Sequence, residues 1–256
     1  MLTVFTLVLN GMPWIRRILP ELQQLDIPWQ WRICEGVADP VHCTSWCRPV
    51  PDRWHERGRS IDGTSQYLDE IRAVPGVSVF RQPLPYSGKI HMVLQALGKD
   101  PHQVVMQVDA DELWKAAQIR KIYDLLLPHL PGTAAQFRCR YFVGPKKIVR
   151  TRNGFGSRPY EWFRAWRWGQ GMGFISHEPP RLDRAGPVIC REETEKMGLV
   201  FDHMAYADRQ AVKFKQDYYG YEGLLASWEK LQETTGLVRL AEYFTFLHDA
   251  TLVGDV

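Results

Sequence analysis

Uninterrupted apolar runs and helical stripes alternate through the first half of the chain. Residues 2–9, LTVFTLVL, hold no charge and are rich in Val, Thr and Phe, as in a strand covered on both faces. Asn10-Gly11 is a turn signal, and Pro13 suits the first turn of a helix in which Trp14, Ile15, Ile18, Leu19 and Leu22 recur at helical spacing. Residues 29–34 read as a second short strand that ends at Glu35-Gly36. Residues 39–61 are polar with few periodic apolar positions, a loop long enough to suggest a function of its own. Asp62-Gly63-Thr64 starts a helix with Tyr67, Leu68 and Ile71 as its stripe. A third strand at 77–80, a helix at 88–97 (Ile90, Val93, Leu94, Leu97), a fourth strand at 104–108 and an amphipathic helix over 114–127 follow. Strand and helix in alternation predict an α/β fold with a Rossmann-like, mostly parallel central sheet.

The second half changes character. Residues 134–143, 147–151, 162–168, 173–175 and 199–203 read as strands separated by turn-rich gaps, giving a mixed β second half. From Asp208 the pattern is helical to the end, with Tyr218, Tyr219, Leu224, Leu225 and Trp228 among its apolar positions, so C-terminal helices are expected. No internal repeat or low-complexity linker divides the chain, and one domain over 1–256 is the expectation, with halves at 1–128 and 129–256.

Composition narrows the classes. With 45% apolar and 24% charged residues the chain is ordinary for a soluble globular protein. A net charge of +3, from 32 Lys and Arg against 29 Asp and Glu, argues against nucleic acid as the main partner. The five cysteines (34, 43, 47, 139, 190) form no Cys-x-x-Cys pair, and Cys43 with Cys47 lacks a second pair at zinc spacing; free thiols in a reducing cytosol fit better than disulfides. No run approaches the ~20 apolar residues of a membrane helix. The first run lacks a basic region before it and breaks at Asn10-Gly11, so a cytoplasmic protein is expected, with peripheral membrane contact left open.

The chemistry concentrates where the fourth strand ends, in VVMQVDADE. In open α/β sheets ligands bind beyond the carboxyl ends of the strands. Asp109 and Asp111, two apart on a strand exit, can turn toward one hard cation such as Mg²⁺ or Mn²⁺, which neutralises a departing diphosphate. The plainer alternative is an acidic turn capping the following helix. No Gly-x-Gly-x-x-Gly or Walker lysine loop competes with the first reading.

The order of several segments resembles the GT-A fold glycosyltransferases, close to glycosyltransferase family 2. LNGMPWI after the opening strand, WRICEG, SGKIHMVLQAL leading into VVMQVDADELW, RAWRWGQGMGFISHEPPRL, and LVFDHMAYADRQAVKFKQDYYGY stand in the sequence in the order those enzymes use. The resemblance covers most of the chain and implies metal-dependent transfer of a sugar, with inversion, from a nucleotide-diphosphate sugar donor to a glycan or other hydroxyl acceptor. The first half (1–128) would bind the nucleotide-sugar and the second (129–256) the acceptor. Asp109 and Asp111, with Ala110 between them, would hold the metal-diphosphate through Mn²⁺ or Mg²⁺. His203 would be the late histidine that reaches the same metal or diphosphate. Glu178, beside His177, would be the catalytic base.

Asn10, Glu35 and Asp39 lie at or near the exits of the first two strands and are candidates to bind the nucleoside. Lys89, at a helix start, is a candidate to pair with the diphosphate. By alternation Trp162, Arg164, Trp166 and Trp168 share a strand face that either lines the acceptor site or packs in the core. Arg150, Arg152 and Arg158 flank Asn153-Gly154-Phe155-Gly156, which reads as a mobile loop or a solvated hairpin tip. Two rival functions stand beside the transferase. A nucleotidyltransferase shares the sheet and paired carboxylates but calls for a glycine-rich basic loop where this chain has Asn10-Gly11-Met12-Pro13. A non-catalytic glycan-binding module on the same fold is the other.

Overall fold

Seven strands form the central sheet in the order Val188–Ile189, Ala134–Gln136, Phe163–Arg167, Val104–Gln107, Leu2–Val8, Trp29–Glu35 and Val77–Phe80. This is seen in a computed structural model, which describes residues 1–40, 47–83, 85–98 and 102–256. The four strands of the first half run parallel. Across the sheet their chain order reads third, second, first, fourth, so the connections reverse direction between Leu2–Val8 and Val104–Gln107. That reversal opens a crevice at the carboxyl ends of those two strands, the usual ligand position in such sheets. Phe163–Arg167 enters antiparallel beside Val104–Gln107 and carries the second half into the same sheet.

Both faces of the sheet are covered, which explains why the strands read as continuous apolar runs. Leu2, Val4 and Val8 pack with Trp31, Ile33 and Met106 against the helices Ile18–Leu22, Thr64–Ile71 and Ala116–Leu126. Phe5, Cys34 and Val105 point the other way, toward helix Lys89–Leu97 and the hairpin Phe174–His177/Pro180–Leu182. Each fully buried Leu, Val or Phe in these layers contributes about 1.5–3 kcal/mol. Helix Lys89–Leu97 buries Met92, Val93, Ala96 and Leu97 and leaves Leu94, a member of the expected stripe, exposed.

The second half departs from the sequence reading in three places. The run 134–143 is split: Ala134–Gln136 belongs to the central sheet, and Arg138–Tyr141 joins Val200–His203 and Glu112–Leu113 in a separate three-stranded sheet. The chain does not stay helical to the end. Helices Arg209–Tyr219 and Leu224–Gln232 are followed by strands Val238–Arg239 and Leu252–Asp255, which pair with each other, and Leu252–Asp255 also pairs with Lys147–Val149. The 153–156 segment is no solvated tip. Phe155 packs against Tyr141, Tyr206, Phe244 and Phe246, and its N–H donates to Thr251 Oγ1 at 2.8 Å. In the first half, the described part of the 39–61 stretch includes a turn at Asp52–Trp54 and the hairpin His55–Glu56/Arg59–Ser60 where a loop was expected.

Cys34, Cys139 and Cys190 are free thiols, while Cys43 lies outside the described residues. Among the described residues no helix is long and apolar enough to cross a membrane.

Candidate active site

The Asp-Ala-Asp turn is clamped between two sheets. Strand Val104–Gln107 is buried throughout, and Val108 extends it by donating its N–H to Phe5 O (3.0 Å) while its carbonyl accepts from Thr6 Oγ1 (2.7 Å). The chain then turns tightly, with Glu112 N–H donating to Asp109 O at 3.0 Å. It re-enters extended structure as Glu112–Leu113, antiparallel to Val200–His203, with His203 directly opposite Glu112. Gly11, at the exit of the opening strand, packs so closely on this turn that a Cβ there would stand 2.9 Å from the Ala110 Cβ. The strand exits on either side of the crevice thus touch.

The two aspartates have different partners. Asp109 Oδ2 accepts from Arg164 at 2.9 Å and its Oδ1 accepts from Gln107 Nε2 at 3.0 Å. Burial pushes its carboxyl up, but Arg164, His177 and the Gln107 hydrogen bond together offset this, so its pKa lies below the usual range. Asp111 Oδ1 lies 3.4 Å from His203 Nε2, and Oδ2 lies 3.6 Å from Lys215 Nζ. Burial again opposes ionisation there, but His203 and Lys215 together hold the carboxyl well below its ordinary value. Glu112 is fully buried, accepts from Arg164 Nε at 2.7 Å and has its pKa raised by burial to about 7.

A second pair lies against this acidic turn. Lys89 Nζ, at the start of helix Lys89–Leu97, is 3.3 Å from Glu178 Oε2 at the tip of the hairpin that packs on that helix. Burial favours the neutral carboxyl, but Lys89 outweighs it and holds Glu178 below the usual carboxylate range. His177 bridges the two groups. Its Nε2 is 3.5 Å from Gln107 Nε2, which also holds Asp109. Burial, with Lys89 nearby, lowers the His177 pKa to about 4, so it is neutral at physiological pH. Lys89, Asp109, Asp111, Glu178 and His203 therefore converge on one locality.

Asn10 and Glu35 occupy a different corner. The Asn10 side chain donates to Trp54 O (2.6 Å) and accepts from Ile61 N–H (2.9 Å), pinning the 55–60 hairpin. Glu35 is 1% exposed and accepts from Ser60 N–H, Ser65 Oγ and Arg81 Nε. Both side chains build the wall of the crevice and direct their polar atoms at the protein itself. Asp39 is exposed, in a segment held by hydrogen bonds with Tyr86.

The expected shared face of Trp162, Arg164, Trp166 and Trp168 is broken by a bulge between Phe163 and Ala165. Trp166 and Trp168 pack on Phe174 in the core. Trp162 turns to His203, with ring centroids 4.8 Å apart, and the Arg164 guanidinium lies 4.9 Å from its ring centre. Gln107 and Lys215 stand beside the aspartates without having been singled out in the sequence, and Arg164, expected with the tryptophans, binds Asp109 and Glu112 instead. The His-Glu dipeptide was the available signal for His177. Nothing local marks Lys215, since it reaches Asp111 only through the packing of helix Arg209–Tyr219.

Among the described residues no three His, Cys, Asp or Glu side chains are grouped as a ready metal cage. The donor set still fits a cation in part. Asp111 and His203 offer adjacent oxygen and nitrogen donors of the kind Mn²⁺ takes. Mg²⁺ and Mn²⁺ sites that carry phosphates complete their shells with phosphate oxygens and water rather than with an all-protein cage. Three buried polar atoms around the site, Gln107 Oε1, His177 Nδ1 and His203 Nδ1, have no protein partner, an arrangement more common at ligand sites than in finished cores.

No protein-family model matches the chain, and no curated protein matches it by sequence. By structure it is similar to the mannosyltransferase PcManGT from Pyrobaculum calidifontis in complex with GDP-Man and Mn²⁺, at 14% identity over 92% of this chain and 65% of that one, TM-score 0.46. It is also similar to TarS 1-349 of S. aureus, at 11% identity over 96% of this chain and 72% of that one, TM-score 0.44. For TarS 1-349 in complex with UDP-GlcNAc the identity is 14% and the TM-score 0.42; the match covers 65% of this chain and 45% of the TarS chain, less than half its length.

Proposed function

We propose that the protein is a metal-dependent glycosyltransferase that moves a sugar from a nucleotide-diphosphate sugar to an acceptor hydroxyl, with inversion. The observation that carries this reading is the meeting of two charge systems at the switch point of the sheet. One is an acidic turn with a histidine, suited to a metal-diphosphate; the other is a lysine-held carboxylate, suited to a general base. Asp109, Asp111 and His203 would hold Mn²⁺ or Mg²⁺, with Ala110 at the turn of the donor site. When bound, such an ion neutralises charge that develops on the departing diphosphate. The Arg164 contact to Asp109 fits a site in which Asp111 and His203 form the stronger half.

The chain's own groups divide the remaining work. Lys89 holds Glu178 ionised and adds positive charge beside the diphosphate. Glu178 accepts the proton of the acceptor hydroxyl as that oxygen bonds to the anomeric carbon. The bond from that carbon to the donor phosphate oxygen breaks in the same step, and its electron pair leaves with the nucleoside diphosphate. Neutral His177 fixes the relative position of the base hairpin and the Asp109 turn through Gln107. Residues 1–128 form the donor half, with Asp39 at its nucleoside end and Asn10 and Glu35 supporting that end through their bonds to the protein, and 129–256 the acceptor half of a single domain. We place the protein in the cytoplasm, acting in glycan biosynthesis.

The test is release of nucleoside diphosphate from a panel of nucleotide-sugars, including UDP-GlcNAc and GDP-mannose, with Mn²⁺, Mg²⁺ or chelator. Turnover that needs the metal and an acceptor supports the reading. A panel with no turnover, but with tight glycan binding, leaves the binding module in its place.

A further inference from the structure

Each carboxylate of the site already has a cation from the protein, but the pairs are not alike. Asp109 and Glu112 share Arg164, whose planar fork is only 6% exposed and bonded at 2.9 and 2.7 Å. Asp111 is matched by Lys215, 3.6 Å away, longer than a hydrogen bond. Lys215 carries its charge on a flexible four-carbon stem, and the ammonium also rests 5.0 Å from the centre of the Tyr206 ring. The helix that bears it, Arg209–Tyr219, brings Tyr218 to the same side at i+3, where its ring lies 5.4 Å from Lys89 Nζ. One helix face therefore spans from the acidic turn to the lysine beside the base.

A divalent cation at Asp111 and His203 would stand within a few ångströms of the Lys215 ammonium and repel it. A diphosphate arriving with that cation would supply anionic oxygens at the same place. We propose that Lys215 is an exchangeable countercharge: it neutralises Asp111 in the free protein, and on donor binding it passes to the diphosphate, where it stabilises the leaving group. The assignment rests on the metal-diphosphate reading of Asp109 and Asp111, and it gives Lys215 effects of opposite sign on metal and on nucleotide.

Mn²⁺ binding by titration calorimetry, with and without UDP or GDP, separates these effects in wild type, Lys215→Met and Lys215→Arg. An opposite charge at this distance changes a carboxylate's affinity for a competing cation by about tenfold. Lys215→Met is therefore expected to bind Mn²⁺ alone about tenfold tighter and to bind the diphosphate in the presence of Mn²⁺ more weakly than wild type. Lys215→Arg, which keeps the charge, is expected to restore wild-type Mn²⁺ affinity. Melting temperatures identify a variant that has lost its fold, and the arginine variant then carries the comparison, with unaltered Mn²⁺ affinity expected. Unchanged or weaker Mn²⁺ binding by folded Lys215→Met, with wild type binding Mn²⁺ and Asp111→Asn failing to, would overturn the role of Lys215 and leave the metal reading intact. Wild type that binds no Mn²⁺ with either nucleotide would overturn both.

Discussion

Two acidic strand exits lie at the same edge of the sheet and have opposite fates. At one, Glu35 ends the Trp29–Glu35 strand with a side chain wholly removed from solvent, and Ser60, Ser65 and Arg81 supply its donors. At the other, Asp109 and Asp111 follow Val104–Gln107 with side chains 29% and 27% exposed, beside polar atoms of Gln107, His177 and His203 that have no protein partner. A carboxylate after a strand is thus not in itself a ligand site. Buried acceptors are expected to be satisfied; that accounting is closed at the Glu35 carboxylate and open beside Asp109 and Asp111, and the metal-diphosphate proposal draws on this contrast.

The sharpest way to break this contrast is to disable each corner in turn. Glu178→Gln should lower kcat by about 10²–10⁴ with little change in donor KM, as expected for a lost general base. Steady-state kinetics check this, and activity within a few fold of wild type would remove Glu178 from the role. Asp111→Asn should cost about 100-fold or more in kcat/KM while leaving the melting temperature close to wild type, since the mutation weakens a ligand site rather than a core contact. Glu35→Ala should do the reverse. Breaking a buried pair costs about 3–5 kcal/mol. For a chain of this size that lowers Tm by about 6–12 °C or more. Turnover of the protein that remains folded should change little, and a thermal melt read beside an activity assay decides.

The smallest effect concerns pH. Lys89 depresses the Glu178 pKa, so the base stays ionised to lower pH than an ordinary glutamate would. Lys89→Met leaves burial as the dominant influence and raises that pKa. The acid limb of the kcat/KM profile should therefore move to higher pH by about one unit or more. An unmoved limb in this variant would show that the Lys89–Glu178 contact does not set the ionisation of the base.

Much of the parallel half was legible because burial on both faces writes long apolar runs: Val77–Phe80 and Val104–Gln107 stand where the pattern put them. The second half was harder for a physical reason. Its strands are short, as in Val188–Ile189, Val238–Arg239 and Pro180–Leu182, and the first two are held by partners more than ten residues away. The bulge at Phe163–Ala165 reverses the alternation that placed Arg164 with Trp166. Of the candidate site, Asp109, Asp111 and Lys89 stood out at element boundaries, and Glu178 and His203 were named through the family resemblance; the fold brings the five to one locality. Lys215 was not singled out, and Arg164 was read with the tryptophans rather than with Asp109 and Glu112, since a basic residue inside a strand or helix takes its meaning from the carboxylate that tertiary packing brings to it. Glu35 shows the converse: its position predicted a ligand contact, and only the fold reveals Ser60, Ser65 and Arg81 around it.

The most direct test of the metal-diphosphate site is a thermal-shift screen against UDP-, GDP- and TDP-sugars with and without Mn²⁺. A ligand at 100 times its Kd stabilises a protein by about 2.7 kcal/mol. The expected result is a rise of several degrees with one nucleotide class, present only with Mn²⁺, lost in Asp111→Asn and kept in Glu178→Gln. A rise that is independent of Mn²⁺ and survives Asp111→Asn, or no rise with any donor, would contradict the assignment.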